Sequence, residues 1–308
     1  MSRRGWLLFG IVGLGWGIPY LLIKLAVGSF SPATVVFLRC TIGALVLLPL
    51  TAVRGELAPV LRAWRWLLLL TIIEIAGPWW LLTDAERRLT SSLAGLLIAA
   101  MPLVGALLAW VTGADERVDA RRLGGTLVGI AGVAVLVGFD VGGSDLGAAG
   151  EIALVVIGYA IGPFIIARRL TGLSGTAVVA VALTVTALVY AGLAAVQLPR
   201  SAPAGSAVAA AVVLGLVCTA FAFPVFFALI REVGPVRATV VTYVNPAVAV
   251  LAGVIFLREP FTASTATGFA LIVAGSFLAT RRSRSIESTL RVGRAAPGVR
   301  AQPYEASE

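Results

Sequence analysis

Apolar residues fall along this chain in ten long runs, separated by short polar or turn-forming breaks. A helix needs roughly 20 mostly apolar residues to cross the hydrocarbon core of a bilayer. The runs lie near 6–27, 32–52, 64–83, 90–111, 121–138, 148–167, 176–197, 206–229, 236–257 and 263–280. The breaks include Ser31-Pro32, Gly113-Ala114-Asp115, Gly142-Gly143-Ser144, Gly234-Pro235 and Glu259-Pro260. The pattern predicts an all-α polytopic membrane protein with ten transmembrane helices. Arg3-Arg4 before the first run resembles the start of a signal peptide. That run is too long for a signal sequence's apolar core, has no convincing small-residue cleavage site, and is followed by nine more spans, so it reads as a retained first helix.

Composition agrees with the pattern. Of 308 residues, 59% are hydrophobic and 13% charged, and the mean hydropathy is +0.99. A soluble domain carries about a quarter of its residues as charges, and this chain has too few polar residues to cover a water-facing surface. There is no histidine, which excludes His-based triads and His-ligated zinc sites. The one lysine, Lys24, follows Leu-Leu-Ile instead of a Gly-rich loop, so the phosphate-binding loop of nucleotide hydrolases is absent. Cys40 and Cys218 lie in apolar runs and read as packing thiols. No metal and no cofactor is expected.

The net charge of +9 is explained by topology. With the N-terminus inside, the inner segments and the tail hold eighteen of the 24 basic residues, while the outer segments hold Arg87, Arg88, Arg200 and Arg258. Arginine and lysine collect on the cytoplasmic side, so both termini are expected in the cytoplasm of a cell-membrane protein, and nucleic acid is not needed to explain the charge. Residues 281–308 read as a basic, disordered tail that touches anionic lipid.

Sliding the chain against itself by 144 residues aligns Pro19 with Pro163, Arg87 with Arg231, Pro102 with Pro246 and Gly124 with Gly268. Asp115 pairs with Glu259 and Lys24 with Arg168 in the same register, whereas Trp16, Arg39, Glu74 and Trp79-Trp80 have no like partner. Two units are therefore expected, 6–138 and 148–280. Five helices per unit is an odd number, so the second enters the membrane inverted, as in many secondary transporters.

The chain also resembles the EamA type of the drug/metabolite transporter superfamily. The resemblance rests on Gly15-Trp16-Gly17 with Lys24, Ser31-Pro32 with Leu38-Arg39, and Ala85-Glu86-Arg87-Arg88-Leu89 with Pro102. The second copy contributes Tyr243-Val244-Asn245-Pro246 and Leu257-Arg258-Glu259-Pro260-Phe261-Thr262. It covers roughly residues 6–280 and implies a ten-helix basket with a central cavity, carrying amino acids, metabolites or drugs.

Charges at mid-membrane depth are the candidate functional residues, because each costs about 2.5–3.5 kcal/mol to insert. Glu74 lies about ten residues into the third span. It is expected to carry a coupling proton, bind a substrate amine or pair with Arg39, and Thr71, Glu74 and Pro78 would share a helical face. Arg39 is expected to pair with Glu74, bind a substrate carboxylate or snorkel to the outer surface; Lys24 is expected to snorkel. Trp16 and Tyr20 would wall the cavity, and Tyr243 and Asn245 would line it from the ninth helix. Pro78, Pro102, Pro163 and Pro246 are expected to interrupt their spans as kinks or hinges, as is Pro224. Trp64, Trp66, Trp79 and Trp80 read as interfacial aromatics. The small-residue pairs Gly13/Gly17, Gly125/Gly129 and Gly158/Gly162 read as packing within the chain.

The sequence thus predicts an inner-membrane secondary transporter that exports a small organic solute by alternating access, with a proton or solute gradient as the driving force. A facilitative exchanger, a channel without proton coupling, or a membrane-embedded enzyme are the alternatives. An enzyme is disfavoured by the lack of histidine and of paired intramembrane carboxylates.

Overall fold

The structure is a computed structural model that describes residues 1–112, 120–140 and 145–280. The expected breaks at Gly113–Asp115 and Gly142–Ser144 and the tail from residue 281 lie outside the described residues. Among the described residues there is no strand, and nine helices are long and apolar enough to cross a membrane. A shorter apolar helix, Ala263–Ala279, adds to them.

The elements in chain order are α1 (Arg3–Gly17), α2 (Pro19–Ala26), α3 (Pro32–Val53), α4 (Leu57–Arg62), α5 (Trp64–Leu70), a π-helical turn Thr71–Ala76 and α6 (Gly77–Ala85). There follow α7 (Ser91–Ile98), α8 (Met101–Val111), α9 (Ala120–Asp140), α10 (Leu146–Arg169) and α11 (Gly175–Val196). The chain continues with α12 (Gly205–Gly215), a second π-helical turn Leu216–Phe221, α13 (Ala222–Val233), α14 (Pro235–Ala238), a 3₁₀ turn Thr239–Tyr243, α15 (Val244–Leu257) and α16 (Ala263–Thr280).

Helix starts follow capping chemistry. Ser2, Ser31, Thr90 and Ser174 each accept a hydrogen bond from the backbone N–H three residues on, satisfying one of the orphan donors at a helix start. Proline decides where several spans break, because it lacks an N–H. The first span breaks at Ile18 before Pro19, the fourth at Ala99–Ala100 before Pro102, and the ninth through its 3₁₀ turn before Pro246. Pro163 does not interrupt its span: it sits inside the continuous helix α10.

Glycines set the closest helix contacts. Helices α9 and α16 meet through Gly125, Gly129 and Gly132 of α9 against Gly268 and Gly275 of α16. A Cβ on Gly132 would lie 2.8 Å from both Gly268 O and Ile272 N. In the first span, Gly13 and Gly17 pack on Val244 and Val248 of α15.

The packing is exchange-related. α3 packs on α11 and α9 on α16. α6 packs on α10 as α13 packs on α1, and the turn Leu216–Phe221 contacts α3 as the turn Thr71–Ala76 contacts α11. The two π-helical turns fall 145 residues apart in sequence.

Candidate functional site

Arg39, on α3, is only 7% exposed, so its charge must find partners within the protein. Its Nε donates to Thr219 Oγ1 at 2.9 Å, and the guanidinium carbon lies 3.6 Å from the centroid of the Trp79 ring. A desolvated contact of this kind contributes about 2 kcal/mol. Thr219 lies in the second π-helical turn, where its hydroxyl donates to Leu214 O, 2.8 Å away and five residues back. Arg39 therefore ties the second span to the third and the eighth. It does not snorkel, and no carboxylate lies within 4 Å of it among the described residues. The ion pair with Glu74 is not formed. Trp79, expected at the interface, is 4% exposed and belongs to this core; Trp64 and Trp66 are exposed.

Glu74 sits in the first π-helical turn, just before Pro78. Without an N–H on Pro78, the carbonyl of Glu74 loses its usual donor, and Gly77 N–H bonds Ile72 O, five residues back. This slip changes the helical face expected for Thr71, Glu74 and Pro78. The Thr71 hydroxyl donates to Leu67 O at 2.8 Å within its own helix. The Glu74 carboxylate lies flat against Gly162 of α10, where any Cβ would overlap it, and Gly158 makes room in the same way for Ile73 O. Glu74 Oε2 is buried with no hydrogen-bonding group of the protein against it. Gly158 and Gly162 thus carve the seat of the turn that carries Glu74.

Lys24 is anchored instead of snorkelling. Its ammonium donates to Glu86 O and Leu89 O, each at 2.7 Å, capping the last carbonyls after α6. Beside it, the Glu86 side chain is 0% exposed, and neither carboxylate oxygen has a hydrogen-bond partner in the protein. Burial pushes the Glu86 carboxyl well above the usual carboxylate range; Lys24 and Arg39 oppose this shift and Glu259 adds to it.

At the same end, Glu259 caps α7. Its Oε1 accepts from Ser91 N at 2.8 Å, and its Oε2 accepts from Ser92 N at 2.9 Å and from Ser92 Oγ at 2.5 Å. Arg258, at φ 56°, takes the left-handed conformation that turns Glu259 back toward α7. Asp140 accepts from Thr262, Ser264 and Thr265, tying α9 to the start of α16. A small cleft lies between these ties, lined by Thr90, Ser92, Leu96, Asp140 and Thr265 among others. Arg88 bridges Asp84 and Glu151 at 2.9 and 2.6 Å. The opposite end is held more sparsely, by Ser174 to Glu56 at 2.7 Å and Ser2 to Glu232 at 2.6 Å.

Tyr20, Arg39, Glu74 and Glu86 all lie within electrostatic reach of Tyr159 on α10, so four charged or phenolic groups from three spans share one neighbour. Trp16 stands apart, packed on Phe223 and Phe226 at ring distances of 5.3 and 4.6 Å. Asn245 has a buried Oδ1 without a hydrogen-bond partner, and its backbone oxygen would lie 3.1 Å from a Cβ on Gly17. Tyr243 ends the 3₁₀ turn. Sequence reasoning did not single out Glu86, Tyr159 or Thr219. Glu86 stands beside two arginines in what reads as a loop, and the other two are lone polar residues in apolar runs, so only the packing identifies them.

A bundle of apolar helices that buries charged residues between its spans defines a multi-pass integral membrane protein. The model of the EamA-like transporter family matches residues 3–138 and again 149–281. The chain belongs to that family, within the drug/metabolite transporter superfamily, and is a membrane transporter. It is 29% identical over 247 residues to the uncharacterised inner membrane transporter YedA of Escherichia coli strain K12, covering 77% of this chain and 78% of that one. It is 22% identical over 294 residues to the uncharacterised transporter YvbV of Bacillus subtilis strain 168, covering 92% and 94%. A solved crystal structure superimposes with a TM-score of 0.65 at 26% identity, covering 91% of this chain and 98% of the other.

Proposed function

We propose that the protein is a secondary active transporter that exports a small organic solute by alternating access, driven by a proton or solute gradient. Its moving parts are two inverted five-helix repeats, 6–138 and 148–280, with both termini in the cytoplasm. The observation that carries this is the exchange-related packing: each repeat places a π-helical turn at the same point of its third helix, and the second helix of the other repeat packs on it. Two halves that meet through equivalent contacts can trade conformations, which converts one access state into the other.

With the N-terminus inside, the end bearing Lys24, Glu86, Glu259 and Asp140 faces outward, and its ties hold that side closed. Glu74 is the coupling or binding carboxylate; Arg39 is the cation that orders the core between the halves. Tyr20, Trp16, Tyr243 and Asn245 line the path at successive depths, and the breaks at Pro19, Pro78, Pro102 and Pro246 serve as hinges. The Thr71 hydroxyl, spent within its helix, steadies the turn that carries Glu74.

The test is solute-dependent proton flux in proteoliposomes, with a panel of amino acids and cationic metabolites inside. Expected is proton movement driven by one solute class and abolished by Glu74→Gln. Unchanged flux and pH dependence in that variant would remove Glu74 from the mechanism. Solute flux that neither saturates nor shows counterflow would point to a channel.

A further inference from the structure

The hydrogen bonds of the core cations go to groups other than its carboxylates. Lys24 donates to two backbone carbonyls, and Arg39 is held by Trp79 and Thr219. Glu86, by contrast, is fully buried with both oxygens lacking a hydrogen-bond partner in the protein. A buried carboxylate without donors is costly, so the folded chain keeps Glu86 there at the expense of its own stability. The charged and titratable groups within its electrostatic reach come from several elements: Lys24 and Tyr20 from α2, Arg39 from α3, Tyr159 from α10, and Glu259 after α15. The charged residues beside it on its own segment are engaged elsewhere, Asp84 with Arg87 and Arg88, and Arg88 with Glu151.

We propose that Glu86 is a binding residue for a hydrogen-bond-donating cation, a proton or the ammonium group of an amine solute. This rests on the transporter reading and adds a second carboxylate to it, twelve residues beyond Glu74 and just past the end of the same span. The complementarity is direct. Neither carboxylate oxygen has a donor in the protein, and the hydrogen bonds of Lys24 and Arg39 go to other groups. The two carboxylates divide the work by depth: Glu74 lies midway along its span and Glu86 at the end bearing Glu259.

The experiment uses the purified full chain in detergent, with a pH-indicator dye reporting net proton uptake as an unbuffered sample is acidified from the most alkaline pH at which it stays folded to about pH 4, below the ordinary carboxylate value. Glu86→Gln should take up one proton fewer per chain than the wild type, and Glu86→Asp should keep the proton with a displaced midpoint. Benzylammonium is then added as a probe, with tetramethylammonium, which has no N–H to donate, as control. Proton release by benzylammonium from the wild type but not from Glu86→Gln, with little release by tetramethylammonium, identifies the amine as a ligand. A Glu86-dependent proton with no benzylammonium-linked release identifies the proton alone as the cation bound. Equal proton uptake in wild type and Glu86→Gln, together with no Glu86-dependent proton release, overturns the proposal. Failure of solute transport in liposomes with the Glu86 proton still present would instead overturn the transport reading and leave the binding residue standing. Each variant is compared by its elution profile and melting curve; if Glu86→Gln does not fold, the midpoint shift of Glu86→Asp decides, and an unshifted midpoint overturns the proposal.

Discussion

Glu259 holds the end of the bundle that the proposed orientation places outside, and its removal should open that end. The carboxylate accepts two backbone N–H groups and one hydroxyl from the first turn of α7. Single charge-assisted hydrogen bonds contribute about 1.5–3 kcal/mol, but removing a capping side chain costs about 0.5–2 kcal/mol, since water replaces part of what is lost. Glu259 is partly exposed, so about 2 kcal/mol is the appropriate figure for Glu259→Ala. That loss falls on the closed arrangement, because the three donors and the acceptor sit on parts that must separate. At 1.4 kcal/mol per tenfold, the open population rises roughly 30-fold. The reporter is a cysteine at Leu96, fully buried and lining the cleft beneath the tie, read by its maleimide labelling rate in right-side-out vesicles. Cys40 and Cys218 are buried and set the background in the Leu96 parent. Labelling should rise about tenfold or more in Glu259→Ala and by less in Glu259→Gln, which keeps one acceptor. An unchanged rate in a folded variant would falsify the role of Glu259 as a closing tie.

Three further outcomes follow from contacts described above. Gly132→Ala places a methyl group 2.8 Å from the backbone of α16 at two atoms and should destabilise the protein by about 1–3 kcal/mol. Gly124→Ala, where nothing lies within 4 Å, should leave the melting temperature in detergent unchanged, and equal shifts for the two would contradict the packing. Arg39→Met should abolish transport while the chain still folds, and Arg39→Lys should not restore it, because a compact ammonium cannot both cover the Trp79 ring and reach Thr219 as the planar guanidinium does; the check is solute uptake beside the melting curve. Burial raises the Glu86 carboxyl, so folding favours its protonated form. The resulting stability is present below the ordinary carboxylate value, about pH 4.3, and is lost as pH rises toward the folded-state value. The melting temperature of the wild type should therefore fall over that window more steeply than that of Glu86→Gln; parallel curves would mean Glu86 titrates as it does in the unfolded chain.

Much of the fold was legible because lipid imposes a one-dimensional rule: a span must be apolar over a fixed length and must satisfy its own backbone hydrogen bonds. Run length and hydropathy therefore located the helices, and Ser31, Pro102 and Pro246 marked starts and breaks that depend only on neighbouring residues. Pro163 shows the limit of that logic, since it remains within a continuous helix. The glycine pairs were legible as packing sites, but their partners were not.

What the sequence determined by itself was therefore the membrane class, the approximate spans, the family and the presence of Glu74 and Arg39 within spans. Only the tertiary structure decided that these two do not pair, that Arg39 instead rests on Trp79 and Thr219, and that Lys24 is spent on backbone carbonyls. The reason is register. One extra residue in a π-helical turn rotates every side chain beyond it, so the face assigned to Thr71, Glu74 and Pro78 with the α-helical period fails. Glu86 was hidden for a related reason: the charged and phenolic groups within its electrostatic reach come from α2, α3, α10 and the segment after α15, and no local pattern records which distant helices close over a residue.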